Sequence, residues 1–182
     1  FKVYSILKGH METQIGPHFE RGLSLLDSVL QAETKVFSIN AEGITHQSGG
    51  YYLYKTTSCK LSDLEQNMKR MRSEVGAYAI THYVTMAGPP FISYLKWEEE
   101  DDSTIFSACV PTNSKISSDE SDILTGKLDT FRAVRTILKG DYKNLKKAWE
   151  ASMEYIADNN LEMIEGGSML ETYLTDPLAE QN

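Results

Sequence analysis

The sequence predicts an α+β fold in which duplicated β-α-β-β repeats form one antiparallel sheet with two main helices and pseudo-twofold symmetry. Three observations lead there. Two segments carry apolar residues at three- and four-residue steps, the spacing of one buried helix face. Short β-branched and aromatic runs flank both segments and read as strands. The order then recurs: Asn67 to Gly88 matches Leu145 to Gly166, each a helix, a glycine stop and a strand, FISYLKW first and MLETYLT second. On that alignment Glu171 falls near Ser93.

In chain order, Phe19 to Ala32 has a helical stripe of Phe19, Leu23, Leu26, Val29 and Leu30. Strands are expected over Val36–Thr45 and Tyr51–Thr57, separated by Gly49-Gly50. Ser62-Asp63-Leu64-Glu65 has the spacing of a capping box, in which the first side chain and the fourth satisfy each other's backbone N–H. The helix it opens runs to about His82 along Leu64, Met68, Met71, Val75 and Tyr78, with Gly76 as a weak point, and Gly88-Pro89-Pro90 is its stop. Phe91–Trp97 and Thr104–Val110 read as strands joined through the acidic turn Glu98–Asp102. Asn113–Thr125, rich in Ser and Asp, reads as the loop between halves, and Lys127–Leu138 as a strand. The second helix carries Leu145, Ala148, Trp149, Ser152, Met153 and Ile156 on one stripe, the strongest periodic signal in the chain. Gly166-Gly167 breaks the chain before a last strand, Met169–Leu174. Two units follow: a helical segment over 1–35, which could be the tail of a preceding domain, and the repeat domain over 36–182.

Composition narrows the function. A chain of 182 residues with 41% hydrophobic residues has enough apolar material for a sizeable core. Its net charge of -8 argues against direct binding of nucleic acid, which needs a basic face for the phosphates. No apolar run is long enough to span a bilayer, so no membrane partner is expected. Cys59 and Cys109 stand in no metal or redox spacing, which fits a reduced, cytoplasmic protein. The chain opens at Phe1 rather than Met and shows no signal-peptide pattern.

Recognised catalytic motifs are absent: no GxSxG, HExxH, P-loop or dinucleotide fingerprint occurs. His10, His18, His46 and His82 lie in no ligand spacing, so neither metal nor cofactor is expected. Attention falls instead on the end of the chain, LETYLTDP. Read as a strand, it sets Glu171 and Tyr173 on one face. A solvated sheet edge is the plain explanation for such a glutamate. Yet Phe91, Tyr94, Trp97, Phe106, Tyr142, Trp149, Tyr155 and Tyr173 are expected near the same seam. A carboxylate among aromatic rings suits a flat, cationic or polarised molecule, because the rings offer stacking area and the carboxylate balances a charge that is costly to bury alone.

The stretch GDYKNLKKAW followed by LETYLTDP, with SACVPT upstream, resembles the GyrI-like domain, the bacterial transcription-activator effector-binding domain. The resemblance covers roughly Val36 to Pro177 and rests on the Gly-x-Tyr turn, the Ala148-Trp149 pair and the Glu-x-Tyr-x-x-Asp-Pro ending. It implies two β-α-β-β repeats with a ligand pocket between them, and it matches Glu171 to the acidic residue that faces cationic aromatic ligands in multidrug-binding members. HFERGLSLLDSVLQAE (His18 to Glu33) is similar to the closing helix of a START-like domain. No helix-turn-helix pattern accompanies the domain, so the sequence as given is not expected to read DNA itself.

The leading expectation is therefore a binding domain for a hydrophobic, aromatic or cationic small molecule. Glu171 would be its anchor, with Tyr173, Trp149, Tyr94 and Phe91 as walls; alternation leaves Tyr94 and Tyr173 on opposite faces as one outcome. A hydrolase of strained electrophilic toxins, with Glu171 as general base, is the alternative, since some GyrI-like proteins act so. An inhibitor of a topoisomerase, another role the kinship suggests, is the third. The oligomeric state is left open.

Overall fold

The chain, seen here as a computed structural model, is described over residues 2–5, 37–98, 100–118, 122–164, 167 and 169–174. The expected helix over Phe19–Ala32 lies outside these residues. Eight strands follow in order: β1 (Lys2–Ser5), β2 (Ser38–Gln47), β3 (Gly50–Lys60), β4 (Phe91–Glu98), β5 (Ser103–Thr112), β6 (Leu124–Leu128), β7 (Phe131–Lys139) and β8 (Met169–Thr172). Helix α1 (Leu64–Thr81) lies between β3 and β4, and α2 (Leu145–Asp158) between β7 and β8.

The strands form one antiparallel sheet ordered β2-β7-β1-β8-β4-β5-β3-β6. Read outward from its middle, each half has the same plan: β4-β5-β3-β6 on one side and β8-β1-β7-β2 on the other. A short 3-10 turn opens each helix, Leu61–Asp63 before α1 and Tyr142–Asn144 before α2. Two exchanges complete the plan. The hairpin partners β2 and β3 separate, β2 closing the edge beside β7, while β6 closes the edge beside β3. Strand β1 fills the slot between β7 and β8, so the sheet takes a strand from residues ahead of the boundary expected at 36.

Both helices lie on one face of the sheet, α1 over β5 and β3, α2 over β7, β2 and β1. Met71, Val75, Tyr78 and Ala79 are the buried stripe of α1, and Ala148, Ser152 and Ile156 that of α2. The main core forms beneath them from Leu53, Ile92, Tyr94, Phe106, Ala108, Val110 and Tyr173. On the opposite face Phe91, Cys109, Ala133 and Leu170 cluster with Tyr52, Tyr54, Leu128 and Phe131. No described helix is long and apolar enough to cross a membrane.

Local chemistry departs from expectation in three places. The capping box does not form: Asp63 is the N-cap without a side-chain bond to the helix, and Ser62 Oγ donates to Asp63 Oδ1 instead. The 3-10 turn ahead of α1 shifts the cap past Ser62 and so breaks the spacing. The helices stop well before their glycines, because Tyr83 and Asn160 adopt left-handed conformations (φ 53° and 49°). Val84 N–H then reaches back to the Ala79 carbonyl and Leu161 N–H to the Ile156 carbonyl, which satisfies the open helix ends. Finally, the strand expected over Lys127–Leu138 is two strands, with the break at Asp129-Thr130. Lys127 pairs with Tyr51 and Leu128 with Gly50 of β3, whereas Phe131 onward is β7, which pairs with β2 on one side and β1 on the other. A continuous apolar pattern could not reveal that its two ends serve opposite edges.

Glycines separate tight sites from loose ones. The β2 ladder slips between Ala41 and Gly43, and Gly43 has φ +80° with Tyr155 Oη only 2.6 Å from where a Cβ would stand. Nothing lies within 4 Å of the Cβ position at Gly76 in α1. Gly76→Ala should therefore stabilise the protein by about 0.5–1 kcal/mol through helix propensity. Gly43→Ala should destabilise it by roughly 1–3 kcal/mol through strain and displacement of Tyr155. Denaturant melts of the two variants beside the parent check both signs.

Candidate functional site

The halves of the sheet meet at β4 and β8, where Phe91–Tyr94 pairs with Thr172–Met169. Ile92 stands directly across from Glu171. Side chains alternate along both strands. Ile92 and Tyr94 of β4 point to the helices, as do Glu171 and Tyr173 of the β8 segment. Tyr94 follows Ile92 by the same two residues as Tyr173 follows Glu171. The two tyrosines thus approach the seam from opposite sides, and the expectation that they could part to different faces is corrected.

They converge on one carboxylate. Tyr94 Oη donates to Glu171 Oε2 at 3.0 Å, and Tyr173 Oη donates to Glu171 Oε1 in a shorter contact. Glu171 has no exposed surface, and Tyr94 and Tyr173 are almost as deeply buried. A ring of side chains encloses them. Trp149 of α2 meets Tyr94 edge-on at 6.3 Å between ring centres, and Met68 of α1 sets its sulfur 3.7 Å from Tyr94 Oη. Tyr142, from the turn before α2, stacks on Tyr173 at 5.8 Å. On Tyr173 also lies the Arg72 guanidinium, 3.9 Å from the ring centre.

Four of the five residues singled out in the sequence, Glu171, Tyr173, Tyr94 and Trp149, come together here. Phe91 does not. Alternation turns it to the other face, where it packs on Tyr52 at 5.5 Å. Trp149 is half-buried rather than core, because the deep stripe of α2 is Ala148, Ser152 and Ile156. Sequence reading placed Tyr142 among the aromatic residues near the seam but not among the site residues, and it missed Met68 and Arg72 as members of the cluster. Arg72 had a legible signal: with Met68, Val75 and Ala79 it lies at the three- and four-residue steps of the α1 stripe, a charge where the pattern calls for an apolar residue.

Burial governs the electrostatics. Loss of solvent pushes the Glu171 carboxyl above its ordinary value, against the Tyr173 and Tyr94 hydrogen bonds and the Arg72 charge, which favour the anion. Both phenols are held well above their usual range by burial first and by the neighbouring carboxylate second. They stay protonated and act as fixed donors. Hydrogen bonds to a charged group contribute about 1.5–3 kcal/mol each, which offsets part of the several kcal/mol that burying a carboxylate costs. Among the described residues no group of three or more His, Cys, Asp or Glu is placed to hold a metal ion. An open concavity of about 490 Å³ lies away from this cluster, between the end of α1 and the 113–117 segment.

With this geometry in hand, the fold can be set beside known structures. The C-terminal domain of EcmrR, known from a crystal structure, matches with a TM-score of 0.65 and 17% identity over 81% of this chain and 90% of that one. EcmrR in its cryo-EM complex with DNA matches with a TM-score of 0.67 and 17% identity over 89% of this chain, which spans 59% of that chain's length. At that identity the likeness defines the fold alone. No protein-family model matches the sequence, and no curated protein sequence does.

The raised carboxyl sets a pH dependence of known sign. Below the ordinary value of 4.5 the folded and unfolded chains both hold the Glu171 proton, and the residue costs nothing. As pH rises from there to the higher folded value, the unfolded chain releases the proton first, so Glu171 lowers stability progressively and leaves it lower above that window. Glu171→Gln cannot titrate. Its stability relative to the parent should increase as pH is raised from about 4 to 7, which denaturant unfolding at each pH measures. A relative loss over that range would mean that the anion stabilises the fold.

Proposed function

We propose that this chain is an effector-binding domain that takes a cationic, aromatic small molecule at the seam between the two halves of the sheet. One observation carries the reading. A fully buried carboxylate faces no described cation within ion-pair distance and is held by two tyrosine hydroxyls among aromatic rings. A purely structural seam would be better served by an apolar pair, since a buried charge without a counter-ion is costly. A ligand cation beside Glu171 would recover that cost, and Trp149, Tyr142 and Tyr173 would stack on its rings. The likeness of fold to the EcmrR C-terminal domain supports a ligand-sensing role.

In the state described the cluster is closed, so the ligand enters by parting side chains between α1 and α2. Trp149 and Met68 sit over Tyr94 from opposite helices and are the natural roof. Glu171 would then lose its elevated pKa, because the ligand's charge favours the anion.

A planar cationic dye provides the test. Glu171→Gln should weaken its binding by about 1–3 kcal/mol, the range of a charge-assisted contact, while stability at neutral pH holds or rises. Trp149→Ala should weaken dye binding by roughly 0.5–2 kcal/mol. Because that ring is half-buried, its loss should cost less than the 3–5 kcal/mol of stability expected of a fully packed aromatic. Fluorescence titration and thermal melts measure all of these. Equal dye affinity in the parent and Glu171→Gln would reduce the carboxylate to a fold element.

The raised carboxyl beside two fixed hydroxyl donors also favours a second reading, a hydrolase in which Glu171 takes a proton from water while a tyrosine steadies the leaving oxygen. Turnover of a strained electrophile, abolished in Glu171→Gln, would decide for it; stoichiometric binding without product decides for the sensor.

A further inference from the structure

Resting on the binding reading above, we infer that Arg72 is a tethered stand-in for the ligand's cation, and that an effector must displace it from the Tyr173 face to bind. The cation site of an aromatic, anionic pocket is occupied here by the protein itself. The Arg72 guanidinium lies 3.9 Å from the centre of the Tyr173 ring, the ring whose hydroxyl donates to Glu171. A guanidinium so placed has the contact a bound organic cation would seek: a ring face, with a carboxylate behind it.

The contact lacks the ion pair that a structural arginine such as Arg135 makes with Glu42. Arg72 Nε is buried with no hydrogen-bond partner. No described carboxylate lies within ion-pair distance of it. Its neighbour on the same helix behaves differently: Arg70 is exposed and forms hydrogen bonds to Glu74 and Asn67. A buried donor without a partner is costly, so leaving the site relieves a penalty as well as breaking a stack. The arginine can leave without unfolding anything, since it is held by a ring contact and not by a bidentate pair. Glu171, in contrast, is locked by two hydroxyls and cannot move out to meet a ligand.

The consequence concerns which molecules bind. Weakly cationic or small ligands cannot replace both the charge and the stacking of Arg72 and are rejected. A large planar cation replaces both. Arg72 therefore lowers the affinity of every cation that must displace it by the same factor, so only those with enough charge and stacking area bind measurably.

The experiment compares the full chain with Arg72→Gln and with Arg72→Met, which keeps the packing of the stem. Arg70→Gln serves as a control for general surface charge. A planar cationic dye is titrated into each, with Glu171→Gln alongside. Removal of the tethered competitor should tighten dye binding by about two- to thirty-fold in both Arg72 variants, the range of one cation–π contact, and leave Arg70→Gln unchanged. A small cation such as tetramethylammonium should gain by a similar factor, since it displaces the same competitor. Weaker or equal dye binding in both Arg72 variants overturns the inference while a Glu171-dependent parent keeps the binding reading intact. An equal gain in Arg70→Gln also overturns it, since bulk charge would then be the cause. If no variant binds the dye, both the inference and the binding reading fall.

Discussion

The pairing of β4 with β8 is the seam on which the rest of this structure depends. Only Phe91–Tyr94 and Met169–Thr172 take part in it, yet it unites two half-sheets that each carry their own helix. A seam that short must be strengthened from outside the ladder. The exchange of edge strands does so: β2 leaves its hairpin neighbour to close the far half, and β6 returns the exchange. Each half is thereby bound to the other through a covalent turn at both edges, Ser48-Gly49 and Asp129-Thr130, as well as through the centre. Gly49 earns its place at one of these turns, because its φ of +68° and the Leu128 and Asp129 carbonyls beside it leave no room for a side chain.

The matched plan of the halves explains how a lone carboxylate comes to lie at the seam. Ile92 and Glu171 face each other across the middle of the sheet, and Tyr94 and Tyr173 follow them at equal steps. Had both central positions been apolar, the seam would be a plain core contact. Had both been acidic, two carboxylates would face each other at close range and could not both ionise without a large cost. One of each gives a single carboxylate with two donors, one from either half. Any motion that separates the halves must break one of those hydrogen bonds, so occupancy of the site and the geometry of the seam are physically coupled. Glu171 reports on the joint between the halves because it is the joint.

Much of the fold was legible because it rests on periodicity. Helix stripes such as Leu145–Ala148–Ser152–Ile156 and the order of elements come directly from the spacing of apolar residues. What escaped depends on partners distant in sequence. The division of Lys127–Leu138 is set by which edge each end serves, and β1 is four residues whose role is to fill a slot made by β7 and β8. Among the site residues, Glu171 and Tyr173 were legible as neighbours on one strand face. Tyr94 joined them in fact only through register, which sets Ile92 opposite Glu171 and so turns Tyr94 to the same face. Phe91 shows the same rule from the other side: one residue's difference along a strand sends a ring to the opposite face.

The remaining feature is the energetic state of the cluster. Its rings are packed, its carboxylate is dehydrated, and a cation rests on it with a buried donor unsatisfied. The dehydrated carboxylate and the unsatisfied donor each cost free energy in a protein whose net stability is small. Ordinary core packing supplies no reason to keep all of them in one place, since replacing Glu171 with an apolar residue like Ile92 would remove the first and the need for the tyrosine hydroxyls together. Burial penalties concentrated where two rigid halves meet, beside a roof made of single side chains from two different helices, are instead what a site needs if binding is to be driven by the relief of strain already stored. The asymmetry between Ile92 and Glu171, in an otherwise matched pair of half-sheets, is where that strain originates.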